Sequence, residues 1–274
     1  MKFQINYRDT PFLLTSETAP YVNRLNWRAE ILLTRNKEAI KDKKILDLAS
    51  HDGRFSYACL KLGAAHVTGI EARPHLVRNA MESFSKLEFD PHSFTFIQND
   101  VFDYLPKVKQ GEFDTILCFG FFYHTIRQIE LLREIGRIRP KYFILDTRIE
   151  KEVIIKDFKK RGSSSKLIKL VFKIKPKHFV KLKESIQKAK KALSISQEKT
   201  PCLIFRYENN EREGLTIDPI KLVAYPTKSF IEQFFSHCGY AFKQLNWSEK
   251  EINDWTGINV YRIGMRVSYI AKLF

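Results

Sequence analysis

The chain has 274 residues, 44% of them hydrophobic, which is enough for one large α/β domain with an appendage or for two small domains, and too apolar for a disordered tail. Its net charge of +16 is localised: residues 151–199 carry 16 Lys and Arg against four acids, leaving 31 against 27 in the other 225. No apolar run reaches the roughly 20 residues of a membrane helix; the start MKFQINYRDTPFLL lacks the layout of a secretion signal, and Cys59, Cys118, Cys202 and Cys238 form no CxxC pair, so a cytoplasmic protein with reduced thiols and no metal site is expected.

Residues 1–40 are expected to hold a helical lid or extension, with Trp27, Ile31 and Leu32 spaced for one helix face. A strand over 43–49 leads to a helix over 55–62, which Gly63 ends. Strands at 67–71, 94–99, 113–119 and 142–146 alternate with helices at 75–87 and 126–138, the second closed by Pro140. That alternation implies an α/β doubly wound parallel sheet over 41–150. It stops at residues 151–200, a basic and mainly helical insertion broken by Gly162 and Pro176. Residues 201–274 are expected to complete the core sheet. They comprise a strand at 202–208, a helix opened by Pro226-Thr227 and closed by Gly239, and strands at 240–247 and 261–273 that pair antiparallel. The five parallel strands and this terminal pair make a seven-stranded sheet.

A doubly wound sheet binds ligands at the carboxyl ends of its strands. Asp47 to Gly53, Glu71 with Ala72, Asn99 to Val101, and Phe119 to His124 lie there. The first loop, Asp47-Leu-Ala-Ser-His-Asp-Gly53, keeps one glycine, whereas a dinucleotide pyrophosphate needs several for close backbone approach. A ligand with an ammonium in place of phosphates suits the loop better, and S-adenosylmethionine (SAM) is one. Asp47 would face its amino group, across a loop containing Ala49, Ser50 and His51. Glu71 would accept from the ribose hydroxyls and Asp100 from the adenine amino group, with Val101 and Phe102 against the ring. The sulfonium would lie near Phe119 to Tyr123, where aromatic faces favour a cation.

On these residues the chain resembles the class I, Rossmann-like SAM-dependent methyltransferases, whose first motif is an acid followed by alternating glycines. Here it reads Asp47-x-Ala49-x-His51-x-Gly53, so two glycine positions differ. The likeness extends over about 40–147 and the terminal strands. It implies SAM as cofactor and is silent on the acceptor. NWRAE (26–30), FGFFYHT (119–125) and Gly264-Met-Arg266 are similar to the tRNA wobble-uridine carboxymethyltransferase branch. In that branch the Tyr of the Tyr-His pair and a late Arg approach the transferred group, which by resemblance are Tyr123 and Arg266. The extra N-terminal lysine that this branch uses for a carboxylated cofactor has no match, so plain SAM is expected.

Methyl transfer is an in-line displacement, accelerated mostly by positioning and needing a base only when the acceptor holds its proton. His124 fits such a base, or a hydrogen bond that holds its loop. Tyr123 fits a group orienting the acceptor or touching the sulfonium, or simple packing. Arg266 fits neutralisation of an anionic acceptor, or a pair with a surface acid. Tyr7, Tyr21, Trp27 and Arg28 fit a lid over the pocket or a helix docked on the sheet. The expected activity is methyl transfer to an O or N, less readily C, of a small polar or anionic acceptor. The alternatives are an RNA (tRNA)-modifying methyl- or carboxymethyltransferase and a non-catalytic SAM-binding protein. The basic segment 151–199 fits RNA, an anionic membrane surface, an acidic substrate, or only a solvated face.

Overall fold

Strands in the middle of a parallel sheet are buried on both faces, so they read as continuous apolar runs and need helices on each side. The computed structural model, which describes residues 3–15, 21–154, 199–208, 216–217 and 220–274, meets that requirement. Strands β1 (Lys44–Leu48), β2 (His66–Glu71), β3 (Phe94–Gln98), β4 (Thr115–Phe119) and β5 (Tyr142–Arg148) run parallel. Further on come β6 (Val153–Ile154), β7 (Lys199–Thr200), β8 (Leu203–Tyr207), β9 (Leu222–Pro226), β10 (Tyr240–Gln244) and β11 (Arg266–Leu273). The main sheet has seven strands in the order β10-β11-β5-β4-β1-β2-β3, with β11 antiparallel to both neighbours. The doubly wound, seven-stranded α/β sheet with its terminal antiparallel pair is therefore as expected.

Helices Val22–Leu32, Arg54–Lys61 and Pro74–Lys86 cover one face, where Leu25, Ala58 and Phe84 share a core with Ile45, Val67 and Leu117. Helices Gln128–Ile138 and Lys228–His237 cover the other, where Leu131, Ile135 and Phe235 meet Leu46, Ile116 and Phe143. The strand order reverses at β1, between β2 and β4, and at such a reversal the loops diverge and leave a crevice.

The loop after β1 has an alternating conformation that the sequence conceals. Ala49 (φ 52°), His51 (φ 56°) and Gly53 (φ 79°) are all left-handed. Only glycine adopts that region without cost, and an L side chain there costs about 1–2 kcal/mol. Two positions hold it nevertheless, because the loop is fastened from outside. Asp52 is fully buried and accepts from Arg54 Nε (2.6 Å), Arg54 Nη2 (2.9 Å) and Thr15 Oγ1 (2.7 Å), while Tyr7 donates to the Arg54 carbonyl (2.6 Å). Gly53 is not replaceable in the same way: a Cβ there would sit 2.8 Å from Phe96 Cζ and 3.0 Å from Phe84 Cε2.

Two expectations about the terminal strands are corrected. The strand at 202–208 does not complete the core sheet; as β8 it pairs antiparallel with β9 in a separate two-stranded sheet. Its partner, the short run Leu222 to Pro226, gives no alternation signal because three of its five residues are buried and it ends in proline. The last strand begins at Arg266 rather than 261, since Asn259–Arg262 is a helical turn and Gly264 (φ 71°) re-aims the chain. Tyr7 and Trp27 are core residues, Tyr21 is half exposed, and only Arg28 of that set lines the crevice. The expected helical insertion lies outside the described residues, apart from its ends, where β6 and β7 pair and bring entry and exit together. Among the described residues no helix is long and apolar enough to cross a membrane.

Gly53→Ala should lower the unfolding free energy by about 2–4 kcal/mol in urea titration, adding a clash to a left-handed φ. Ala49→Gly should shift it by less than about 1 kcal/mol. A Gly53→Ala protein of unchanged midpoint would show that the loop is not held as described.

Candidate active site

The crevice at the strand ends is a cavity of about 1270 Å³. Of the residues singled out in the sequence, Asp47, Ala49, Ser50, His51, Glu71, Ala72, Asp100, Val101, Phe119, Tyr123, His124 and Arg266 all line it. Gly53 and Asn99 do not. Gly53 turns the chain into helix Arg54–Lys61 beneath the loop, and the Asn99 N–H donates to the Glu71 carbonyl (3.1 Å), extending the pairing of β3 with β2.

One half of the cavity is acidic. Asp47 is 2% exposed, accepts from Ser56 Oγ (2.8 Å), and is pushed up to about 7 by burial. The Glu71 carboxylate, at the end of β2, receives the backbone N–H groups of His51 (3.0 Å) and Arg73 (3.1 Å) and the Arg73 guanidinium through Nε (2.9 Å) and Nη2 (3.3 Å). Burial alone would raise its pKa; the Arg73 hydrogen bonds and charge overcome that and hold it below the usual range. Asp100 caps its own short helix by accepting from the Phe102 N–H (2.7 Å). Ser50 Oγ and His51 Nε2 are buried polar atoms with no hydrogen-bond partner. His51 Nδ1 lies 2.7 Å from Arg54 Nη2 and 3.4 Å from Asp52 Oδ1; a guanidinium only donates, so the shorter contact makes this nitrogen the acceptor and leaves the proton on Nε2. Burial, which pulls the His51 pKa down, keeps the ring neutral. Three carboxylates and an orphaned donor suit the ammonium, diol and carboxylate of SAM, and offer a pyrophosphate little.

The other half is aromatic and cationic. Its anchor is Asp146 on β5, which is fully buried and binds Arg28 (2.6 Å), Arg266 (2.9 Å), Tyr261 (3.0 Å) and Ser268 (2.8 Å). Burial would raise this carboxyl, and Arg266 followed by Arg28 holds it well below the usual range instead. Arg266 therefore pairs with a buried acid, not a surface one. Its guanidinium carbon also lies 5.4 Å from the centre of the Tyr123 ring, which sits tilted against His124 with ring centres 4.0 Å apart and meets Tyr225 edge-on at 5.4 Å. His124 Nδ1 abuts Glu208, just beyond β8, and burial draws the imidazole pKa below its ordinary value despite that carboxylate. The β8–β9 hairpin thus supplies Glu208 and Tyr225 to the wall. Sequence reasoning missed these two, together with Asp146 and Arg148. Only Asp146 could have been found, as an acid ending a buried strand.

Residues 40–199 match the model of the family described as "Methyltransferase domain". A curated relative, the "Putative protein N5-glutamine methyltransferase" of Methanocaldococcus jannaschii, is 31% identical over 105 aligned positions, a match that covers 33% of this chain and 52% of the relative. The chain spans about half the length of that relative. Among solved structures, the N-terminal domain of EvdMO1 with SAH bound superposes with a TM-score of 0.56 at 13% identity, over 90% of this chain and 80% of that one. The PH0226 protein of Pyrococcus horikoshii gives 0.53 at 15% identity over 98% of both chains. These two share the fold. The chain belongs to the methyltransferase domain family.

Replacing Asp146 by Asn leaves two buried guanidiniums without their anion. Chemical denaturation should report a loss of about 3–5 kcal/mol; a loss under about 1 kcal/mol would mean that Arg28 and Arg266 are compensated elsewhere.

Proposed function

We propose that this enzyme transfers the methyl group of SAM to an oxygen or nitrogen of a small polar or anionic acceptor. The observation that carries the reading is the division of one cavity into an acidic half at the ends of β1 to β3 and an aromatic, arginine-lined half beyond β4. Bound SAM supplies an electrophilic methyl on a sulfonium. The chain's part is to place and desolvate the partners.

Glu71 holds the ribose, whose hydroxyls take the positions that Arg73 now fills; Asp100, Val101 and Phe102 hold the adenine, and Asp47 with the loop of Ala49, Ser50, His51 and Gly53 holds the methionine end. Ala72 and Asn99 support the ribose and adenine strand ends, and Phe119 and Tyr123 border the sulfonium. His124, neutral and oriented by Glu208, takes the acceptor's proton. The adjacency of Tyr123 and Arg266 also supports a second reading, transfer of a methyl or carboxymethyl group to tRNA. S-adenosylhomocysteine released with tRNA but with no small acid as acceptor would move the assignment there.

Calorimetric titration with SAM should give micromolar binding that Glu71→Ala weakens by about 1.5–3 kcal/mol, the worth of hydrogen bonds to a charge; equal affinities would remove Glu71 from the site. His124→Asn should lower kcat by about 100-fold or more while leaving SAM affinity unchanged. In the wild type kcat should be flat above pH 7 and fall as pH drops below the ordinary imidazole value of 6.5, because protonation consumes the base. An unaltered kcat in the variant would leave His124 with only its loop-holding contact.

A further inference from the structure

On the acceptor side of the cavity no described carboxylate forms an ion pair with Arg24 or Arg148. Asp146 is shared by Arg28 and Arg266, Glu150 pairs with Arg206 (2.5 Å), and Glu208 faces His124. Two lining guanidiniums are left over. Arg24 donates to the Gly257 carbonyl (2.5 Å) and has no ion pair among the described residues; burial, with Arg28 as the next cause, pulls it down to about 10. The Arg148 side chain has neither an ion pair nor a hydrogen bond among the described residues. It rests over the Tyr123 ring at 5.6 Å, and its Nε is buried without a partner.

Arg148 on β5 and Arg266 on β11 are directly opposed, and like charges so placed on paired strands repel. Arg266 is neutralised by Asp146; Arg148 has only the face of Tyr123. Cations removed from water are normally paired. This cavity must also admit a sulfonium, which adds a further positive charge in front of the same wall. An anion beside Arg148 relieves the sulfonium and Arg148 together, and a guanidinium fork offers two parallel N–H groups to a carboxylate or phosphate.

We infer that the methyl acceptor carries an anionic group, a carboxylate or a phosphate, which docks on Arg148 beside Tyr123, with Arg24 adding to the attraction. The inference rests on the SAM-methyltransferase reading of this cavity and names the acceptor's chemical class. Arg148 is thereby a binding residue for the acceptor, and it has no part in holding the cofactor.

The test uses full-length protein saturated with S-adenosylhomocysteine, titrated calorimetrically with malonate and, separately, with inorganic phosphate. At least one anion should bind saturably in the millimolar range or tighter, and the stronger of the two identifies the group as carboxylate or phosphate. Arg148→Gln should weaken that binding by about tenfold or more with S-adenosylhomocysteine affinity unchanged. Arg148→Lys, which keeps the charge and loses the fork, should fall between. Absence of saturable binding by both anions, or equal binding by wild type and both variants, overturns the proposal while leaving the cofactor site standing. S-adenosylhomocysteine that fails to bind the wild type takes down the cofactor reading and this inference with it.

Discussion

The aromatic, arginine-lined half of the cavity depends on one buried carboxylate. Asp146 draws together groups 115–122 residues away in the chain: Arg28, Tyr261, Arg266 and Ser268. It fastens the N-terminal helix, the last strand and the turn before it to the edge of the parallel sheet. Trp247 continues the cluster, stacked on Tyr261 at 3.5 Å and donating to Ser268 Oγ (3.3 Å). Desolvating a carboxylate is expensive, and here the cost is offset only because two guanidiniums and two hydroxyls satisfy it at once. Two cations on one anion leave the cluster net positive, and that imbalance faces the cavity.

The cofactor half solves a different problem. A loop that cradles a small ligand needs its backbone close and its N–H groups turned inward, which in this family is the usual work of glycines. Here alanine and histidine occupy two of those conformations, and the surrounding structure compensates. The Asp52–Arg54 pair, Thr15 and Tyr7 hold the loop from its outer side, and the His51 N–H anchors it to Glu71 on the inner one. The His51 side chain brings a protonated nitrogen into a place where a glycine would have none.

The two halves meet across the segment after β4, where a single helical turn, Phe122–His124, carries Tyr123 and His124 into the cavity. Arg148, Arg266 and Tyr225 surround the Tyr123 ring, so its orientation is set by three other elements, β5, β11 and β9. The β8–β9 hairpin, outside the main sheet, completes this wall. The surroundings of His124 therefore depend on a carboxylate brought by that hairpin, and the role proposed for His124 rests on how the hairpin lies.

The alternation of apolar runs and helices, the acids ending β1 and β2, and the spacing of the aromatic segment after β4 were enough to determine from sequence the sheet and most residues that line the cavity at its strand ends. Those features are local: a buried parallel strand must be apolar, and the residues just past its carboxyl end must sit at the rim of the sheet. The hairpin partner of β8, the start of β11 at Arg266, and the pairings of Asp146 and Glu208 were decided by tertiary structure alone. A strand pattern does not state its partner, and a carboxylate does not state which distant guanidinium will neutralise it. Whether Arg148 has an anion of its own depends on the register of β5 against β11 and on the acids already taken, which are properties of the folded charge distribution and leave no mark in local sequence.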